Sequence, residues 1–110
     1  MKKIYLFCSA GMSTSMLASS MQSAADSRSL PIEVNAFPLN QMEEIIYFNR
    51  PDCILLGPQS RYMYEEVMQQ HGDKGIPIDV IDSEAYGRMN GEKVLATAIL
   101  LIKNFKATQS

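Results

Sequence analysis

The chain has one histidine, two cysteines and a formal charge of only −2 in 110 residues. Each scarcity excludes something. A net charge this small, with no basic stripe interleaved with aromatics, leaves no electrostatic footprint for nucleic acid or an acidic membrane surface. A single histidine, His71, without clustered Cys/His spacing gives no metal site. Cys8 has no second cysteine at Gly11, where a thioredoxin-like Cys-x-x-Cys pair would need one. Long apolar runs are also missing. The segment Ile4-Tyr5-Leu6-Phe7 is shorter than the roughly 7–15 residues of a signal-peptide core. The stretch 98–102 is far below the roughly 20 residues that span a bilayer. The expectation is a cytoplasmic protein with reduced thiols and no membrane insertion.

What is present is ordinary for a globular core: 46% apolar and 20% charged residues, with room for one domain covering 1–110. There is no internal repeat, linker or low-complexity segment, and only the last few residues read as frayed. Strand-like and helix-like segments alternate. Residues 2–8 read as a strand ended by Ser9-Ala10-Gly11, and residues 13–28 as a helix with Leu17, Met21 and Ala24 inward. Residues 32–37 alternate as a strand, and Asn40-Gln41-Met42-Glu43 has the form of a capping box opening a helix with Met42, Ile45 and Ile46 inside. Cys53-Ile54-Leu55-Leu56 is a third strand ending at Gly57-Pro58-Gln59. Ser60 is placed to cap a helix whose face carries Tyr64, Val67, Met68 and His71. Residues 76–81 form a fourth strand, and 91–106 a final helix with Val94, Leu95, Ala98, Ile99, Ile102 and Phe105 inward. That helix has too few Lys and Arg on its polar face to read as membrane-binding.

This alternation predicts an α/β fold with right-handed crossovers and a parallel sheet carrying helices on both faces. Strands one and three lack proline and are apolar throughout, as central strands are. Strands two and four carry Pro31 and Pro77 at their starts and alternate, as edges do. The predicted order is 2-1-3-4, flavodoxin-like or phosphotyrosine-phosphatase-like. Its switch point lies between strands one and three, where ligands bind beyond the carboxyl ends.

The chemistry-bearing residues lie there. Cys8 closes strand one and starts Ser9-Ala10-Gly11-Met12-Ser13-Thr14-Ser15. Backbone N–H groups of such a loop and helix start form a dianion site; Gly11 permits a tight turn, and the hydroxyls of Ser9, Ser13, Thr14 and Ser15 add donors. The same positive potential favours a nucleophilic thiolate. Free cysteine is also a common inert core residue, and Cys53, at the opposite end of strand three, reads that way. His71, at a helix end, reads as a surface or dipole-facing residue.

From residue 3 to residue 15 the sequence Lys-Ile-Tyr-Leu-Phe-Cys-Ser-Ala-Gly-Met-Ser-Thr-Ser resembles the start of the enzyme IIB subunits of the lactose/cellobiose class of the bacterial sugar phosphotransferase system. The resemblance continues through Glu33-Val34-Asn35-Ala36-Phe37-Pro38, Leu55-Leu56-Gly57-Pro58-Gln59 and Asp79-Val80-Ile81-Asp82-Ser83 with Tyr86-Gly87; residues 39–50 match least. It implies a phosphoryl carrier, a protein-cysteine phosphotransferase without a cofactor. Its cysteine, here Cys8, accepts the phosphoryl group from a histidine of enzyme IIA and passes it to a sugar in the membrane subunit, enzyme IIC. A β-linked disaccharide such as cellobiose or diacetylchitobiose is favoured over lactose, and a monomer that docks transiently is expected. For docking, Met12 and Met16 offer an apolar rim, with Met16 equally readable as core. Pro58, Gln59 and Tyr62 flank from strand three, and Asp82, Ser83 and Tyr86 from strand four; Gln59 is a candidate donor to the phosphoryl group. Tyr47 and Tyr64 read as packing residues.

Two rivals share the architecture. A small phosphatase or arsenate reductase with a Cys-x5-Arg loop needs an arginine where this chain has Thr14. A receiver domain needs acidic residues after strand one and an aspartate after strand three, where Cys8-Ser9 and Gly57-Pro58 stand.

Overall fold

Alternate side chains of a buried parallel strand enter opposite cores, and the first strand of this protein shows the consequence directly. In the computed structural model, which describes residues 1–9 and 11–109, strand β1 (Lys2–Cys8) sends Ile4 and Leu6 to one side and Tyr5 and Phe7 to the other. The first core is closed by helices α1 (Gly11–Ser27) and α5 (Gly91–Gln109), through Leu17, Met21, Ala25, Leu95 and Ala98. The second is closed by α2 (Met42–Asn49) and α3 (Tyr64–His71), through Met42, Ile46 and Val67. Helices therefore cover both faces.

Strands β2 (Ile32–Pro38), β3 (Cys53–Leu56) and β4 (Ile78–Val80) complete a four-stranded sheet in the order β2-β1-β3-β4, with each adjacent pair parallel. The predicted topology is the observed one, a flavodoxin-like sheet. Register sets the geometry at the carboxyl edge. Phe7 pairs with Leu56, so Cys8, the last residue of β1, and Gly57, the first after β3, follow side by side, and the Gly57 N–H reaches the Phe7 carbonyl at 2.9 Å.

Several local expectations are corrected. Helix α1 starts at Gly11, two residues earlier than predicted, so the anticipated eight-residue loop is mostly helix. The capping box does not form: Gln41 precedes α2 with no side-chain cap, and the chain enters through a 3-10 turn at Leu39–Gln41. Another 3-10 run, Pro58–Met63, precedes α3, and Ser60 lies inside it with non-helical backbone angles instead of capping the helix. Strand β4 is shorter than expected. Helix α4 (Ser83–Gly87) has no counterpart in the sequence pattern; five residues carry too little periodicity, although its cap is sequence-typical, with Asp82 Oδ2 accepting from the Ala85 N–H at 3.0 Å. His71 is 2% exposed and belongs to the interior, not the surface.

Candidate functional site around Cys8

The switch point brings together residues more than fifty positions apart. Cys8 is 1% exposed, more deeply buried than a freely presented nucleophile. Its thiol donates to Gln59 Oε1 at 3.5 Å, and Ser60 Oγ lies 3.8 Å from the sulfur, oriented to donate to it. Ser60 is fully buried; its oxygen accepts the Ser9 N–H at 3.2 Å and lies 3.4 Å from Ser9 Oγ. A hydroxyl has one proton and two lone pairs, so Ser60 ties the chain after β1 to the chain after β3 while keeping a donor for the sulfur or for Ser9.

Gly57 makes the approach possible. A Cβ on that residue would lie 2.5 Å from Cys8 Sγ and 2.9 Å from Cys8 Cβ, both inside contact distance. Only a residue without a side chain lets the two strand ends run this close. Sequence reasoning misses both Ser60 and Gly57 as site residues. The available signal for Gly57 is its position at the end of a central strand next to the switch point. The signal for Ser60 is hidden by its plausibility as a helix cap.

The predicted phosphoryl-binding residues divide. Ala10 lies outside the described residues. Ser9 faces Ser60, through both its N–H and its hydroxyl. Gly11, Met12, Ser13, Thr14 and Ser15 occupy the first turns of α1, whose leading N–H groups have no partner within the helix and carry its positive end. Thr14 differs from Met12, Ser13 and Ser15 in depth: it is 1% exposed, and its hydroxyl lies 3.0 Å from the Tyr86 hydroxyl. Tyr86, expected on the docking rim, is turned inward by the same contact and is 6% exposed.

The remaining docking candidates lie on the surface. Met12 is 81% exposed, Met16 56% and Tyr62 72%, which removes Met16 from the core. Gln59, Asp82 and Ser83 are exposed and Pro58 is half-buried, although the Asp82 carboxylate is already engaged in capping α4. The far end of the molecule differs. A cleft of about 760 Å³ lies at the amino ends of β3 and β4, lined by Ile46, Tyr47, Phe48, Pro51 and Ile76 with flanking charges, and it includes no neighbour of Cys8. Tyr47 is exposed there, its ring edge-on to Phe48 at 5.0 Å, and Tyr64 is half-buried against the second core.

Among the described residues no group of three His, Cys, Asp or Glu stands close enough to hold a metal ion, and no helix is long and apolar enough to cross a membrane.

Comparison with known proteins bears on this geometry. A family described as "PTS system, Lactose/Cellobiose specific IIB subunit" matches residues 3–97. The galactose-specific EIIB component of Lactococcus lactis is 42% identical over 100 residues, which is 88% of this chain and 93% of that protein. The oligo-β-mannoside-specific EIIB component of Bacillus subtilis is 36% identical over 104 residues, covering 94% and 99%. Among solved structures, the cellobiose-specific phosphotransferase IIB component of Borrelia burgdorferi superposes with a TM-score of 0.76 at 40% identity, covering 94% of this chain and 93% of that one. The lactose-specific IIB domain of Streptococcus pneumoniae superposes at 0.79 with 21% identity, over 89% and 94%, which speaks to the fold alone.

Proposed function

Because the chain belongs to the lactose/cellobiose-specific IIB subunits of the sugar phosphotransferase system, we propose that it carries a phosphoryl group on the sulfur of Cys8, taken from a phosphohistidine of enzyme IIA and given to a sugar in the membrane subunit enzyme IIC. The observation that carries this reading is the meeting of Gln59 and Ser60, from after β3, at the sulfur that ends β1, in a chain whose next helix begins only three residues further on at Gly11.

The chemistry balances in each half. Sulfur uses a lone pair to form the S–P bond as the N–P bond breaks, and that bonding pair returns to the histidine ring. The proton lost by the thiol is matched by the one the ring gains. In the second half a sugar hydroxyl oxygen forms the O–P bond, the S–P pair returns to sulfur, and the hydroxyl proton balances the thiol restored. Such transfers need in-line positioning and stabilisation of charge more than covalent machinery, so no metal or cofactor is required of this chain. Ser60, as a donor to sulfur, stabilises the thiolate that attacks in the first half and departs in the second.

The phosphatase reading is weaker. The position that would clamp a dianion in a Cys-x5-Arg enzyme is Thr14, an uncharged side chain that is buried and meets the Tyr86 hydroxyl, with no guanidinium to offer.

Relatives at 36–42% identity are named for galactose, cellobiose and oligo-β-mannoside, so closely similar chains serve different sugars. Sugar choice then lies with the membrane subunit, and a β-linked disaccharide such as cellobiose or diacetylchitobiose is the proposed cargo. The protein acts in the cytoplasm as a monomer that docks each partner in turn. The proposed docking face is formed by Met12 and Met16 of α1, Gln59, which touches the sulfur, Pro58 and Tyr62 of the 3-10 run after β3, and Asp82 and Ser83 after β4; all are exposed but the half-buried Pro58.

The test is reconstitution with phosphoenolpyruvate, the general phosphotransferase proteins and a cognate IIA, followed by intact-mass measurement and peptide mapping. One phosphoryl adduct on Cys8 is expected. An adduct mapped elsewhere, or rapid Cys8-dependent hydrolysis of an aryl phosphate, overturns the reading.

A further inference from the structure

We propose that the side-chain amide of Gln59 reverses when Cys8 is phosphorylated, exchanging the S–H bond it accepts for an N–H bond it donates to the phosphoryl group, so that the two states of the carrier present different surfaces. This rests on Cys8 being the phosphorylated residue, and it assigns the device that reports its state.

The starting geometry is acceptor-type: Gln59 Oε1 takes the thiol hydrogen at 3.5 Å. Once the S–P bond forms, the sulfur has no hydrogen left to give. The phosphoryl group carries close to two negative charges at neutral pH, since its second pKa is about 6, and all its free oxygens are acceptors. A carbonyl oxygen held against such a group is repelled. The same amide carries two N–H donors on its other end, and turning it round converts the repulsion into a charge-assisted hydrogen bond.

The neighbours decide which group moves. Ser60 touches the same sulfur but is fully buried and already accepts from the Ser9 N–H, so it has one fixed position. Gln59 is exposed, on a 3-10 turn, and therefore has room to rotate. Gly57 supplies the space: a Cβ there would sit 2.5 Å from Cys8 Sγ and 3.4 Å from Gln59 Oε1, so sulfur and amide share the volume a side chain would fill. A carrier has to be recognised unloaded by its donor and loaded by its acceptor. An exposed amide that shows a different end in each state supplies that distinction.

The decisive variant is Gln59→Glu, which keeps shape and acceptor while removing both donors and adding a negative charge. At a fixed ratio of phosphoenolpyruvate to pyruvate, its ratio of phosphorylated to free Cys8, read by intact mass, is expected to fall at least tenfold, since a charge-assisted hydrogen bond is lost. Gln59→Leu, which loses the donor without adding repulsion, falls less. In the unaltered protein the Gln59 side-chain amide resonances, identified by their loss in Gln59→Leu, shift and exchange more slowly with solvent on phosphorylation. Unmoved resonances, or a Gln59→Glu protein loaded as fully as the unaltered one, overturn the proposal while leaving Cys8 as the carrier. Absence of any adduct on Cys8 in the unaltered protein overturns both.

Discussion

The two cysteines of this protein are almost equally hidden, Cys8 at 1% exposure and Cys53 at 0%, yet they occupy different chemical worlds. Cys53 opens β3 at the amino end of the sheet, opposite Ile4, inside the core shared with α1 and α5. Burial, with the charges of Asp79 and Asp52 adding to it, pushes its thiol up to about 12, so it stays protonated at neutral pH. Cys8 ends β1 at the opposite edge, with the Gln59 amide and the Ser60 hydroxyl at its sulfur and α1 beginning three residues later. On the proposed function, depth does not separate the phosphoryl-carrying thiol from the structural one. The end of the sheet does, because parallel strands place their loops and helix starts at the carboxyl edge.

The largest expected effect tests that contrast outright. Cys8→Ser abolishes the phosphoryl adduct in the reconstituted system, while Cys53→Ser keeps it and loses about 1–3 kcal/mol of stability in urea unfolding by burying a hydroxyl. A Cys53→Ser protein that folds but fails to load would break the contrast. Next is Gly57→Ala. With sulfur 2.5 Å from the new Cβ, the loop after β3 has to move away, and transfer to Cys8 is expected to fall at least tenfold. The strain costs about 1–3 kcal/mol by thermal unfolding.

A third measurement needs no partner. In the native protein iodoacetamide is expected to modify Cys8 at least tenfold faster than Cys53, by peptide mapping over time. The exposed Gln59 next to Cys8 can move locally, whereas Cys53 is released only when the sheet opens. Equal rates would mean that both thiols wait for global unfolding.

The smallest effect concerns another buried group at the amino end. His71 is 2% exposed, and burial lowers its pKa below 6.5; Lys74, whose Nζ lies 2.8 Å from Nδ1, lowers it further, against opposing charges on Glu43 and Asp73. A folded state that resists protonation is stabilised above the unfolded value and loses that stability as pH falls from about 6.5 toward the lowered one. The loss is at most about 1.4 kcal/mol per pH unit and should vanish in His71→Gln, measured by urea unfolding at pH 7.5 and 5.5. Loading of Cys8 should not change in that variant. A change would tie the two ends of the sheet together.

Much of the architecture could be read from local pattern. Proline at the starts of β2 and β4, against uninterrupted apolar runs in β1 and β3, separated edge from centre and led to the observed strand order. Inward residues of the long helices followed from spacing: Leu17, Met21, Val94, Leu95 and Ala98 are all buried. Short elements escaped. Helix α4 has five residues, less than two turns, and α1 begins inside what composition presents as a serine-rich loop. Polar residues misled most. Thr14, Ser60 and His71 have side chains suited to loops, caps and surfaces, and each is buried because a distant partner or neighbour covers it.

The amino-acid order alone determined that a cysteine closes an apolar strand and is followed by a donor-rich helix start, because strand, turn and cap preferences act over a few neighbouring residues. It also determined, through the distribution of proline and apolar residues, which strands lie inside the sheet. Only the tertiary structure decided that Gly57, Gln59 and Ser60 meet the Cys8 sulfur from some fifty positions along the chain, and that the hydroxyls of Thr14 and Tyr86 meet each other inside the core. Such meetings depend on the register of β1 against β3 and on which side chains the two cores have room to bury. Those are properties of the whole packed molecule, and no short stretch of sequence contains them.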